Sequence, residues 1–344
     1  MMRINFIKIK NDLLKGLNKR EKDIIERRFG LRKKEKETLE SIGKSYGICR
    51  ERVRQIEERA ISQIKEKTKN PFYQNIFKKI IDHLKKKGGV EREDLLLKEL
   101  GGEKFQNFIS FFIRFIDIIK HKKEREKYFS LFYLDENILK EAEKIISFFV
   151  KLFEKEKRTL TEKEILKVFK KESKESLKKD ILFNYLSLSK EISKGPRGDF
   201  GLINWPEINP KGVKDKAFLV FKIMKKPLHF KEVAELINNL KLERPISLKK
   251  VIPATVHNEL IRDERFVLVG RGLYALREWG YEEGFVRDII FKILKEAKKP
   301  LSREEIVKKV LSQRLVKENT ILLNLQNKKY FIRNKEGKYT IKEV

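Results

Sequence analysis

Residues Thr38 to Ile61, TLESIGKSYGICRERVRQIEERAI, decide how the N-terminal part of this chain folds. They read as two short amphipathic helices joined by a Gly-containing turn, a helix-turn-helix. Leu39 and Ile42 give the first helix its apolar face, Gly43 and Gly47 bracket the bend, and Ile48 plugs the angle. Val53, Ile56 and Ala60 fall at i, i+3 and i+7 and form one buried stripe on the second helix. Arg50, Glu51, Arg54 and Gln55 occupy the opposite face, where they can meet base edges and phosphates. A bundle helix also shows a stripe, but seldom such forked side chains beside a Gly turn. The pattern points to double-stranded DNA as a partner.

The chain here resembles region 4 of bacterial primary sigma factors, the module that reads the promoter −35 element. The likeness runs from Leu17 to about Ile64. It is carried by Leu17, Arg20-Glu21, Arg28-Phe29-Gly30-Leu31, Thr38-Leu39-Glu40, Ile42-Gly43 and Arg50-Glu51-Arg52-Val53-Arg54-Gln55-Ile56-Glu57. The resemblance implies that Arg50, Glu51 and Gln55 face bases in the major groove while Arg54 holds the backbone. Arg52 and Arg59 are candidates for phosphate or partner contacts. Cys49 departs from the family, which usually has Thr there to cap the recognition helix. Losing a hydroxyl cap costs about 1 kcal/mol.

Composition agrees. Lys plus Arg total 82 against 51 acids, a formal net charge of +31, which attracts phosphate and makes binding salt-dependent. A compositional bias from an AT-rich genome competes as the source of that charge. A hydrophobic fraction of 40% and an aromatic fraction of 10% suffice for folded cores. The single Cys excludes an internal disulfide and any Cys-rich zinc site. No run approaches the roughly 18 apolar residues of a membrane helix, and the start lacks a secretory cleavage signal. The expected setting is cytoplasmic and nucleoid-associated, without a membrane.

An internal repeat organises the rest. Four segments start on an apolar residue with an acid four positions later: Val90 with Asp94, Leu160 with Glu164, Leu228 with Glu232 and Leu301 with Glu305. The starts lie 70, 68 and 73 residues apart, each after a helical pattern. Phe266 to Val269, Gly270-Arg271-Gly272 and Leu273 to Leu276 read as a hairpin with a tight turn. Tyr330-Phe331-Ile332 and Tyr339-Thr340-Ile341 repeat it, with weaker counterparts at Lys194 to Trp205 and Tyr128 to Leu134. Helix, short strand, helix, helix, hairpin is the plan of a winged helix. The expected fold is mainly α: the helix-turn-helix followed by tandem winged helices with small β-hairpin wings. The expected domains are residues 1–70, 71–136, 137–210, 211–282 and 283–344.

The third repeat is similar to the HARE-type winged helix, over roughly Asp215 to Tyr281. The likeness rests on Pro227-Leu228-His229-Phe230, Thr255 to Leu260, Phe266 through Leu276 and Trp279-Gly280. Such a domain occurs in the delta subunit of Gram-positive RNA polymerase and in some chromatin and restriction proteins. The two resemblances together imply transcription, with RNA polymerase as a further partner.

Several residues admit two readings. His229 and His257 could suggest a metal, but no acidic or Cys ligand stands at metal spacing, which favours a structural role. Trp205 and Trp279 fit core packing better than base stacking. Arg271 at a hairpin tip is either a DNA-contacting wing residue or a solvated turn charge. Lys85 to Lys87 and Lys120 to Lys123 suit helix ends, and generic phosphate attraction fits them equally. Phe105 to Phe115 reads as a buried helix rather than an exposed docking patch.

No P-loop, nucleophile elbow or HExxH is present, so neither an enzyme, a cofactor nor a metal is expected. Nothing resembles the helix with which sigma factors melt the −10 element, so a complete stand-alone sigma factor is not expected. The leading expectation is a DNA-binding transcription protein. The competing ones are an RNA polymerase accessory subunit acting by protein contacts and a sequence-indifferent nucleoid protein.

Overall fold

The computed structural model describes residues 6–33, 35–172, 177–239, 250–281, 284–314 and 316–342. The expected domain limit at 282/283 and both chain ends lie outside them. The chain divides into two compact units, Met1–Ser193 and Lys194–Val344.

The first unit opens with four helices, α1 (Phe6–Leu13), α2 (Lys19–Arg28), α3 (Leu39–Tyr46) and α4 (Arg50–Thr68). Asn18 starts α2 with a capping box: its side chain accepts from the Glu21 amide at 2.9 Å, and Glu21 accepts from the Asn18 amide at 3.0 Å. Then come α5 (Pro71–Lys86), β1 (Val90–Arg92), α6 (Glu93–Gly101), α7 (Gln106–Ile113), β2 (Lys120–Lys122) and β3 (Leu131–Tyr133). The sheet order is β1-β3-β2, antiparallel throughout. The unit continues through α8 (Glu136–Glu156), α9 (Glu162–Glu172) and α10 (Lys179–Ser187). The hairpin of β4 (Ile192–Lys194) and β5 (Phe200–Leu202) falls on the division.

The second unit contains α11 (Val213–Met224), β6 (Leu228–His229), α12 (Phe230–Asn239), α13 (Pro253–Arg262), β7 (Phe266–Gly270) and β8 (Leu273–Leu276). Their sheet order is β6-β8-β7. The chain finishes with α14 (Val286–Ala297), α15 (Arg303–Gln313), α16 (Glu318–Leu325), β9 (Phe331–Arg333) and β10 (Tyr339–Ile341). Leu301 bridges Tyr339, so the fourth repeat also joins its entry residue to the last strand of its wing. The fold is mainly helical with small antiparallel sheets, and one plan of elements recurs four times.

The acid that marks each repeat has a local cause in two of them. Glu164 accepts from the Thr161 amide at 2.8 Å and Glu305 from the Ser302 amide at 2.7 Å, closing capping boxes on α9 and α15. Glu164 is held near a pKa of about 2, first by that amide and then by Arg158. Three residues before each apolar start stands a lysine: Lys87, Lys157, Lys225 and Lys298. The last three cap α8, α11 and α14 in the left-handed region, with φ 50°, 52° and 50°. In the first repeat Gly88, at φ 83°, takes over that conformation.

A continuous core crosses residue 70. Ile25, Phe29, Ala60 and Ile64 pack with Tyr73, Phe77, Phe108, Phe111 and Phe112. The Phe105 to Phe115 segment is buried, α7 contributing Phe108, Ile109, Phe111, Phe112 and Ile113. Trp279 packs on Phe221 at 6.2 Å, and a Cβ on Gly201 would meet the Trp205 ring at 2.8 Å, so both indoles serve packing. Lys85 and Lys86 close α5 as expected, but Lys120, His121 and Lys122 form β2 rather than a helix end. The strand forms because β3, with the pattern Leu131-Phe132-Tyr133 fully buried, offers its free edge to it.

Candidate nucleic-acid interface

Three helices hold the candidate reader. Ile24 of α2, Ile42 of α3 and Val53 of α4 are each fully buried against one another, with Leu39, Tyr46, Ile48 and Ile56 partly buried around them. Thr38 caps α3 by accepting from the Ser41 amide at 3.1 Å. The turn then depends on two glycines. Gly47 closes α3 at φ 63°, and the Ile48 amide donates back to Gly43 O at 3.0 Å. A Cβ on Gly43 would lie 2.7 Å from Ile48 O, so only glycine allows this close crossing.

Cys49 stands at the N-cap of α4 with φ −70° and ψ 156°, and its side chain makes no capping bond. The first amides of the candidate recognition helix therefore lack a side-chain acceptor from the cap position. Charges brace the module from behind. Arg27 donates to both Glu37 oxygens at 2.9 and 2.7 Å, which holds that carboxyl below its ordinary range. Tyr46 donates to Asp23 at 2.8 Å, and burial followed by that bond pushes its hydroxyl up.

All six residues singled out on α4, Arg50, Glu51, Arg52, Arg54, Gln55 and Arg59, are solvent-accessible, Gln55 less so than the others. They are partly engaged with one another. Arg54 donates to Glu51 at 2.9 and 2.6 Å and also bonds Glu58, while Arg52 donates to Gln55 at 3.1 Å. The Arg54 guanidinium holds the Glu51 carboxyl below its usual range, so Glu51 is charged at neutral pH. The set is a fixed row of donors and acceptors, with Glu51 and Glu58 offsetting part of the positive charge.

Arg271 is exposed in the two-residue turn between β7 and β8. Behind it a Cβ on Gly272, at φ 70°, would strike His229 Nε2 at 2.5 Å. His229 Nδ1 accepts from the Lys231 amide at 3.3 Å, and the His257 ring lies 4.6 Å from Phe230 and 5.9 Å from Tyr274. Both histidines thus join the wing to its helices.

Among the described residues one group has metal-like composition: His83, Glu91 and Glu99. His83 Nε2 lies 3.2 Å from Glu91 and 3.4 Å from Glu99. Lys87 Nζ sits 3.2 Å from Glu91 and 2.8 Å from Glu99, so an ammonium already neutralises the pair that ties α5, β1 and α6 together. Motif reading passed over a second basic element, Arg333, Lys335 and Lys338 on the β9–β10 turn. Its signal was the Asn334 to Gly337 turn flanked by cations.

The fold and this exposed helix define the class: helix-turn-helix modules of a DNA-binding, transcription-related kind. Residues 13–66 match the family Sigma-70, region 4, and residues 212–279 match the HARE-HTH family, the helix-turn-helix domain of ASXL and restriction endonuclease proteins. The chain is 39% identical over 59 residues to RNA polymerase sigma factor SigA of Bacillus sp, a segment covering 17% of this chain and 16% of that protein. It is 44% identical over 62 residues to RNA polymerase sigma factor sigB of Arabidopsis thaliana, covering 18% and 11%. It is 46% identical over 52 residues to RNA polymerase sigma factor RpoS of Coxiella burnetii (strain RSA 493 / Nine Mile phase I), covering 15% of each. The chain thus spans less than a fifth of the length of each of these relatives. Among the described residues no helix is long and apolar enough to cross a membrane.

Proposed function

We propose that this chain is a DNA-binding transcription protein that inserts α4 into the major groove of promoter-like DNA, with its tandem winged helices contacting DNA or RNA polymerase. The observation that carries this reading is the two-faced α4: Val53 and Ala60 fully buried, and Arg50, Glu51, Arg54 and Gln55 all open to solvent. In it Arg50, Glu51 and Gln55 read bases, Arg54, Arg52 and Arg59 hold phosphates, and Arg271 supplies a wing contact. The working modules are residues 1–70, 71–136, 137–210, 211–282 and 283–344, acting in a cytoplasmic, nucleoid-associated setting. Selection of bound duplexes from a random library, with Gln55→Ala alongside, tests the proposal. The wild type should enrich a motif that the variant blunts, since a lost bidentate base contact costs about 1–3 kcal/mol. Uniform weakening on all sequences would remove Gln55 from the reading.

A second reading, an RNA polymerase subunit acting by protein contacts, is favoured by the acids that flank Arg54. The relatives named above are RNA polymerase sigma factors. Co-purification with polymerase from nuclease-treated extract, together with failure to enrich any duplex, would support that alternative.

A further inference from the structure

The four repeats place four third helices and four wings in the chain, and their surroundings differ. α7 is occupied by the core it shares with Phe29, Ala60 and Ile64. α10 is fastened to the first repeat: Asn184 donates to Lys87 O at 2.7 Å and Val90 O at 2.6 Å, and Tyr185 to Gly88 O at 2.8 Å. By contrast α16 buries only Ile321 and Leu325 and turns Asn319, Thr320 and Leu323 to solvent.

The wings sort the same way. In the first, Arg125 donates to Glu143 at 2.5 Å, Lys127 pairs with Glu191 at 3.3 Å, and Glu124 is bonded by Lys190. In the second, Arg197 pairs with Asp199 at 3.1 Å. The third is a two-residue turn with one cation, Arg271. The fourth carries three cations open to solvent, Arg333, Lys335 and Lys338, against one acid, Glu336, which lies 3.2 Å from Lys338. Among the described residues Lys335 has no ion pair. The turn is built in advance: Asn334 N donates to Lys338 O at 2.8 Å, Gly337 N to Asn334 O at 3.0 Å, and Lys338 N to Asn334 Oδ1 at 2.9 Å. Holding the charges outward before a ligand arrives lowers the ordering cost of binding.

We propose that the C-terminal repeat is a second duplex-DNA surface, in which Arg333, Lys335 and Lys338 clamp backbone phosphates beside the polar exposed side of α16. It rests on the reading that the chain engages duplex DNA. Its contribution is affinity without base preference, because lysines on a turn meet phosphate as point charges.

The test uses the full chain, measuring duplex affinity as a function of salt for the wild type, Arg333→Ala/Lys335→Ala/Lys338→Ala, and Gln55→Ala. Each phosphate contact contributes about 0.9 to the log–log salt slope, so the triple variant should lower its magnitude by about 2 to 3 and weaken all sequences alike. Lys335→Glu alone, at a side chain without an ion pair, should lower it in the same direction and guards against misfolding of the wing. An unchanged slope in both variants, with a Gln55-dependent motif intact, overturns the inference and leaves the N-terminal reading standing. A reduced slope with no Gln55-dependent motif supports the inference while removing the base-reading role. Failure of the wild type to bind any duplex at low salt, with binding to an acidic protein surface instead, overturns both.

Discussion

The rings of Phe29 and Phe111 lie 4.6 Å apart, and through that contact the helix-turn-helix and the first repeat share one interior. Phe29 ends α2, beside the helices that carry the reader, while Phe111 is 1% exposed on α7. The Asn107 side chain adds a bond to Gly30 O at 3.1 Å. The reader is therefore mounted on a winged helix rather than tethered to one.

Phe111→Ala should cost about 3–5 kcal/mol, the usual penalty for emptying a buried aromatic position. Urea unfolding followed by far-UV circular dichroism reads it. A loss under about 1 kcal/mol, far below that range, would mean the shared core does not support the fold.

Cys49→Thr should stabilise the chain by about 1 kcal/mol, because the cap backbone already has the extended geometry that a hydroxyl needs. Thermal melting of the two proteins checks it. No rise in Tm would show that the first amides of α4 already have other acceptors.

The helix-turn-helix and the repeat were legible in sequence because their causes are local. Gly47, the Thr38 cap, the Val53 and Ala60 stripe, and the Thr161–Glu164 and Ser302–Glu305 boxes act within a few residues. Strand β2 was not legible: Lys-His-Lys has no apolar alternation, and its form comes from pairing with Leu131 to Tyr133. Nor could sequence spacing show that α7 packs on Phe29 or that Asn184 reaches Val90 O, contacts between distant segments. The α4 residues were found by pattern, but the Arg54–Glu51 and Arg52–Gln55 bonds that fix them depend on rotamers.

Acid sensitivity should trace in part to Glu164. Its folded pKa of about 2 lies below the ordinary 4.5, so its stabilisation is complete above about pH 4.5 and fades as pH falls toward 2. Its side chain is 41% exposed, so solvent screening keeps the effect small. Urea midpoints of wild type and Glu164→Gln should differ at about pH 6, above the whole titration window, and converge on acidification. A gap independent of pH would assign the effect to packing.

Glu91→Gln should destabilise by about 1.5–3 kcal/mol, since it removes the buried charge shared by Lys87 and His83. Denaturant titration with and without added zinc measures it. A large zinc-induced rise in the wild-type midpoint would replace the ion-pair account with a metal one.

The left-handed lysines at 157, 225 and 298 bear on the history of the chain. A favourable residue can be reached repeatedly from unrelated starting points, since stability rewards it each time. A conformation that glycine would adopt with less strain has no such reward. Its recurrence at one position, with φ within a few degrees, reads as a copied blemish: the mark of a single ancestral unit duplicated in tandem and diverged at its surface.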